Sequence, residues 1–183
     1  MVTVPRGADP ASCSRAGGVL RTSAAELAGL AHELSGSWRD QRHRRPDQAD
    51  APARPAYHQD PMAPSADLPA LTAELAAELD RAGSALQVHA QELAENAAAL
   101  DRIAARAESA GLVLRGWEIL EPYGLTGADD ARQRRLALPD LQRQADRVAQ
   151  RLGRSRSHLQ RVLNEVTPRL TELTDAVRAQ TDG

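Results

Sequence analysis

A chain of 183 residues has room for one domain with a real apolar core, and these residues leave no space for a second catalytic domain. Its formal net charge of −2, from 25 acidic and 23 basic residues, excludes a polycation that seeks nucleic acid or anionic lipid through bulk charge, so such binding needs a local patch. A single cysteine, Cys13, excludes an intramolecular disulfide and a thiolate zinc cluster.

The apolar content is carried by Ala, Leu and Val, with no Phe and only Trp38, Trp117, Tyr57 and Tyr123 as aromatics. That palette favours close helix packing over an aromatic β core. Every basic residue is Arg, and Ala, Asp and Gly are abundant, which reads as the coding bias of a GC-rich genome and suggests an actinobacterium. No stretch approaches the roughly 20 apolar residues of a membrane span. Ala11-Ser12-Cys13 has the order of a lipoprotein box, but Arg6-Gly7-Ala8-Asp9-Pro10 before it provides no apolar segment. The expected location is the cytoplasm, or outside the cell without a cleavable signal peptide.

Residues 1–21 hold Pro, Gly and Ser without periodicity and read as a disordered tail; residues 22–183 read as a single helical domain. The first helix is expected over 22–40. Ser23-Ala24-Ala25-Glu26 forms a capping box at its start, and Leu27, Leu30, Leu34 and Trp38 share one face. Residues 41–66 carry Pro46, Pro52, Pro55, Pro61 and Pro64 and predict a linker, since proline interrupts the helix ladder. The second helix is expected over 67–110, with Pro69 tolerated in its first turn and Gly111 ending it. Its seam runs Leu68, Leu71, Leu75, Leu79, Ala82, Leu86, His89, Leu93, Asn96, Leu100, Ile103, Ala107, Ala110 in steps of three and four, the pattern of knobs-into-holes packing.

Two apolar runs around Arg115-Gly116 predict a β-hairpin over 112–121, pinned to the helices by Trp117. A third helix follows over 128–166, with the seam Leu141, Ala145, Val148, Leu152, Ser155, Leu159, Val162, Val166, and Thr167-Pro168 marks a kink or the start of a last helix over 168–180. The fold class is therefore all-α: a long antiparallel helical hairpin or three-helix coiled-coil bundle with a small β-hairpin insertion near 112–120.

The second helix is acidic, and the third carries Arg132, Arg134, Arg135, Arg143, Arg147, Arg151, Arg154, Arg156 and Arg161. The favoured reading pairs these opposite charges across the two helices. Contact with a phosphate backbone is the lesser one, because no aromatic interleaving or nucleic-acid module accompanies the run. His89 and Asn96 lie one heptad apart on the seam and read as polar register devices. Metal ligation is disfavoured there, since Glu92 is the one nearby carboxylate. His32, His43, His58 and His158 fall on polar or linker positions. No nucleophile elbow, phosphate loop or dinucleotide fingerprint occurs, so no catalytic, cofactor-binding or metal residues are expected and the chain reads as a non-enzyme.

The stretch Ala82-Gly83-Ser84-Ala85-Leu86-Gln87-Val88-His89-Ala90-Gln91-Glu92-Leu93-Ala94, continuing through Ala104 to Gly111-Leu112, resembles the second helix of actinobacterial WXG100/ESX superfamily proteins. The Ala-Gly-Leu helix end, the small hairpin and the Arg- and Ala-rich helix after it are similar in layout to helical domains of type VII secretion substrates. The likeness covers most of residues 19–165. The family's Trp-x-Gly turn would fall at Trp38-Arg39-Asp40, where Asp40 stands for the glycine. The Tyr-x-x-x-Asp/Glu export signal is missing, because Tyr57 is followed by Pro61 and Tyr123 by Gly127. The resemblance implies a secretion-associated substrate, partner or chaperone that works by helix packing and is exported with a partner carrying that signal. Leu75, Leu79, Leu86, Leu93 and Leu100 would anchor the internal bundle or a partner's helix, with Trp38 capping the first helix's face. The partner is a small helical protein or a second copy. A cytoplasmic coiled-coil scaffold or adaptor unrelated to secretion is the alternative.

Overall fold

A computed structural model of the chain describes the backbone of residues 9–43, 68–124 and 127–181, and the side chains of 9–37, 68–124 and 127–180. Three helices, α1 (Pro10–His43), α2 (Leu68–Ser109) and α3 (Ala128–Thr181), pack on one another, and a hairpin of β1 (Val113–Arg115) and β2 (Glu118–Leu120) joins the last two. The expected all-α architecture with a small β insertion is the observed one. Two compact units share these helices: Met1–Ala16 with Ala85–Arg161, and Gly17–Ser84 with Val162–Gly183. The proline-rich linker of 41–66 lies almost wholly outside the described residues.

Two helix boundaries differ from the sequence reading. Residues 10–21 are not a tail, because α1 begins at Pro10. The Asp9 carboxylate accepts hydrogen bonds from the Ser12 amide at 3.1 Å and the Ala11 amide at 3.4 Å, satisfying orphan donors of the first turn, and Pro10 has no N–H to satisfy. The Ser12 hydroxyl, then these amides, hold Asp9 below the ordinary carboxylate range. Ser23-x-x-Glu26 thus sits inside a helix that a stronger cap upstream has already started. Likewise α3 continues without a break through Pro139 and Pro168. Val162, Val166 and Leu173, at 8%, 1% and 2% exposure, anchor both sides of Pro168, and their burial offsets the roughly 3 kcal/mol that an interior proline costs.

In the unit holding 17–84, the buried positions of α1 are Gly17, Ala24 and Ala31, while Thr72, Ala76 and Gly83 are buried on α2. Each set repeats at helical spacing and contains only small residues, so the two backbones approach closely. A Cβ placed on Gly83 would sit 2.8 Å from the Gly17 carbonyl oxygen and 2.6 Å from Arg21 Cγ. The expected leucine face of α1 is therefore secondary: Leu27 and Leu34 are half-buried and Leu30 is 51% exposed. Small residues win because they bring many backbone atoms into dispersion contact, which bulky side chains would hold apart. Exposed ion pairs flank this unit, Arg21 with Asp80 at 3.0 Å, Arg169 with Glu74 at 2.7 Å, and Arg81 with Glu165; such pairs fix register more than they add stability.

In the other unit the core gathers Leu100, Ile103 and Ala107 of α2, Leu112, Leu114 and Ile119 of the hairpin, and Leu141 and Val148 of α3. Helix α2 closes into the hairpin by a Schellman turn: the Leu112 amide donates to the Ala107 carbonyl at 2.7 Å and the Gly111 amide to Glu108 at 2.9 Å, with Gly111 at φ 69°. That left-handed position is open to glycine at little cost. In the hairpin, Leu114 pairs with Ile119, and of the two loop residues only Gly116 has positive φ, the arrangement of a type II′ turn. Trp117 is half-buried against this core. Gln142 of α3 completes the docking, accepting from the Ile119 amide at 2.8 Å and donating to the Trp117 carbonyl at 3.0 Å.

Gly83→Ala is expected to destabilise the protein, by about 1–3 kcal/mol as for other overpacked contacts, because its Cβ meets backbone. Gly29→Ala, where nothing lies within 4 Å, is expected to stabilise by about 0.5–1 kcal/mol through helix propensity. Urea unfolding of both variants checks the pair; equal effects of the same sign would refute the close approach.

Candidate functional site

His89 of α2 and Ser155 of α3 face each other in the unit holding 85–161. Periodicity put both on seams, and antiparallel packing brings them together. His89 is 7% exposed and Ser155 8%, and His89 Nδ1 lies 2.7 Å from the Ser155 hydroxyl oxygen. Burial depresses the His89 pKa below its ordinary value; Glu92 nearby raises it and Arg156 lowers it further. The contact is that of a base and a hydroxyl. Ser155, however, lies mid-helix, where the amides that could form an oxyanion hole are spent on carbonyls four residues back. Pairing across the seam is the role this geometry supports.

Asn96, one heptad on, is 2% exposed, and neither of its side-chain polar atoms has a hydrogen-bond partner among the described residues. An unpaired buried amide lowers stability while disfavouring slipped registers. Among the described residues no group of three or more His, Cys, Asp or Glu could hold a metal ion. His32 and His158 are exposed, and the side chains of His43 and His58 lie outside the described residues.

The residues expected to bind a partner separate into three groups. Leu75, Leu79, Leu86 and Leu93 are half-buried along α2. Leu100, at 5% exposure, belongs to the hairpin core, so of its two expected roles it has the internal one. The Trp38 side chain lies outside the described residues. What periodicity did not reveal is a groove of about 950 Å³ between α1 and α2. Its floor is alanine: Ala24, Ala25, Ala28 and Ala31 from α1 against Ala70, Ala73, Ala76 and Ala77 from α2, with the Arg21–Asp80 pair toward one end and His32, Ser35 and Pro69 toward the other. Its one sequence signal was the density of alanine, which by itself reads as helix propensity.

The arginine run also departs from expectation. Between α2 and α3 the cation comes from α2 at Arg106–Asp140, 3.6 Å apart, and at Arg81–Glu165, and from α3 at Arg169–Glu74, outside the run. Arg143 pairs with Asp140 of its own helix at 3.6 Å. Arg147, Arg151, Arg154 and Arg161 are exposed and form no ion pair among the described residues.

Two substitutions probe the polar seam. The unfolded chain binds a proton on His89 near the ordinary value of about 6.5, whereas the folded chain binds it only at lower pH. Stability should therefore be flat above pH 7 and fall as pH drops below about 6.5; His89→Gln should flatten that slope in urea titrations at each pH, and an unchanged slope would assign it to other groups. Asn96→Leu should raise stability by about 1 kcal/mol by removing two unpaired polar atoms; a loss of that size in the same measurement would show the amide to be satisfied.

No helix among the described residues is long and apolar enough to cross a membrane. No protein-family model, curated protein or solved structure matches this chain.

Proposed function

We propose that this chain is a non-enzymatic helical interaction protein that receives the helix of a small helical partner, in the manner of a type VII secretion-associated substrate, partner or chaperone. The observation that carries the reading is the alanine groove between α1 and α2. Most of its lining, including Ala25, Ala28, Ala73 and Ala77, is exposed, so the surface is apolar yet lacks side chains long enough to fill it. A surface of this kind suits a partner helix that inserts its own larger apolar residues, with anchors every three or four positions. The secretion assignment rests on the sequence resemblance of 82–112 and the layout that follows it.

The test is the mass in solution by light scattering, for the chain alone and co-expressed with the small helical proteins encoded beside it. A one-to-one complex is expected, and Ala73→Glu should weaken it at least tenfold, as expected of a charge buried without a partner, while helicity stays unchanged. A chain that ignores those neighbours would defeat the secretion reading and leave a cytoplasmic coiled-coil scaffold in its place.

A further inference from the structure

We propose that the exposed arginine stripe of α3, Arg147, Arg151, Arg154 and Arg161, binds the phosphodiester backbone of duplex nucleic acid without base preference. The inference is independent of the helix-partner reading. It begins from spacing: steps of four, three and seven residues put these side chains on one face of a continuous helix, over about 21 Å at 1.5 Å per residue. His158 shares that face and is exposed. Between 141 and 161 the one acidic residue is Asp146, whose carboxylate already accepts from Gln142 at 2.8 Å. The stripe is thus a row of exposed cations that form no ion pair among the described residues, with Glu92 of α2 lining the same hollow as Arg151 and Arg154, on a chain whose net charge is −2.

The neighbouring groups distinguish among anionic partners. Gln150 and Ser157 interleave with Arg154 and Arg161 around a shallow surface depression of about 590 Å³ that opens at Gly153. Gln and Ser hydroxyl or amide donors beside Arg are the usual phosphate-contacting set, and the guanidinium fork matches phosphate oxygens in pairs. On α3 itself no apolar side chain interrupts this face between Arg147 and Arg161, and Val88 of α2, 52% exposed, borders it beside Arg151, Arg154 and His158. A protein partner would therefore find one small apolar side chain and no core to bury, and a lipid surface no large side chain to insert. Nor is there an aromatic ring on the face for stacking unpaired bases, which favours a duplex over a single strand.

The experiment uses the full chain and two fluorescent 20-base-pair duplexes of unrelated sequence, titrated by anisotropy at 50 and 200 mM salt. Both should bind alike. With four phosphate contacts the slope of log affinity against log salt should be about −3.6, a weakening of about a hundredfold across that range. The quadruple variant R147Q/R151Q/R154Q/R161Q should lose at least tenfold at 50 mM salt, with its circular dichroism unchanged, and the quadruple Arg→Lys variant should keep the salt slope. Absence of duplex binding at 50 mM salt would overturn the proposal, as would affinity indifferent to the four Gln substitutions, or tighter binding to anionic vesicles or polyglutamate than to duplex. If the Gln variant does not fold, the salt slope of the unsubstituted chain decides alone, a slope near zero overturning the proposal.

Discussion

The structure depends on α2 being buried along two of its faces by different means. One face carries Thr72, Ala76 and Gly83 and meets α1 through small residues at backbone distance. The other carries His89, Leu100, Ile103 and Ala107 toward α3 and the hairpin. A helix with so wide a buried arc is not stable alone in water. Its neighbours are therefore obligatory, and the constraint extends to them: α1 must be smooth where it crosses Gly83, and α3 must offer Ser155 where His89 arrives.

Polar groups inside the seams reveal how register is set. Burial of a hydroxyl, an imidazole and an amide lowers stability unless they are paired, and a one-turn slip would separate His89 from Ser155 and leave both unsatisfied. Gln142 performs the same service for the hairpin, because its two hydrogen bonds to the Ile119 amide and the Trp117 carbonyl exist only when β2 lies at one position along α3. A two-stranded ribbon is marginal by itself; here the apolar pair Leu114 and Ile119 supplies burial and Gln142 supplies position.

Charge is segregated by what the helices leave exposed. Where α2 and α3 exchange ion pairs, at Arg106–Asp140, Arg81–Glu165 and Arg169–Glu74, the partners are solvent-exposed and contribute alignment more than energy. Arg147, Arg151, Arg154 and Arg161 of α3 are left facing water. The chain thus presents two surfaces of opposite character, an alanine groove formed by α1 and α2 and a basic stripe on α3. The proposed partner helix and the proposed phosphate backbone make use of these separately.

The sequence by itself determined the fold class, the extent of α2, the hairpin and the Gly111 stop, because heptad spacing, glycine at a left-handed position and alternation across Arg115-Gly116 are local properties of the chain. It also located His89, Asn96 and Ser155 on seams. Tertiary structure decided the rest. Asp9-Pro10 outcompeted Ser23-x-x-Glu26 as the start of α1, and Pro168 remained inside α3, because burial on either side outweighs a local break. The Gly17–Gly83 approach, the groove beside it and the solvent-facing arginines were not legible, since periodicity counts apolar positions but does not say which of two apolar faces meets a neighbour. That choice depends on how closely two backbones can approach, a property of the pair of helices and of neither one alone.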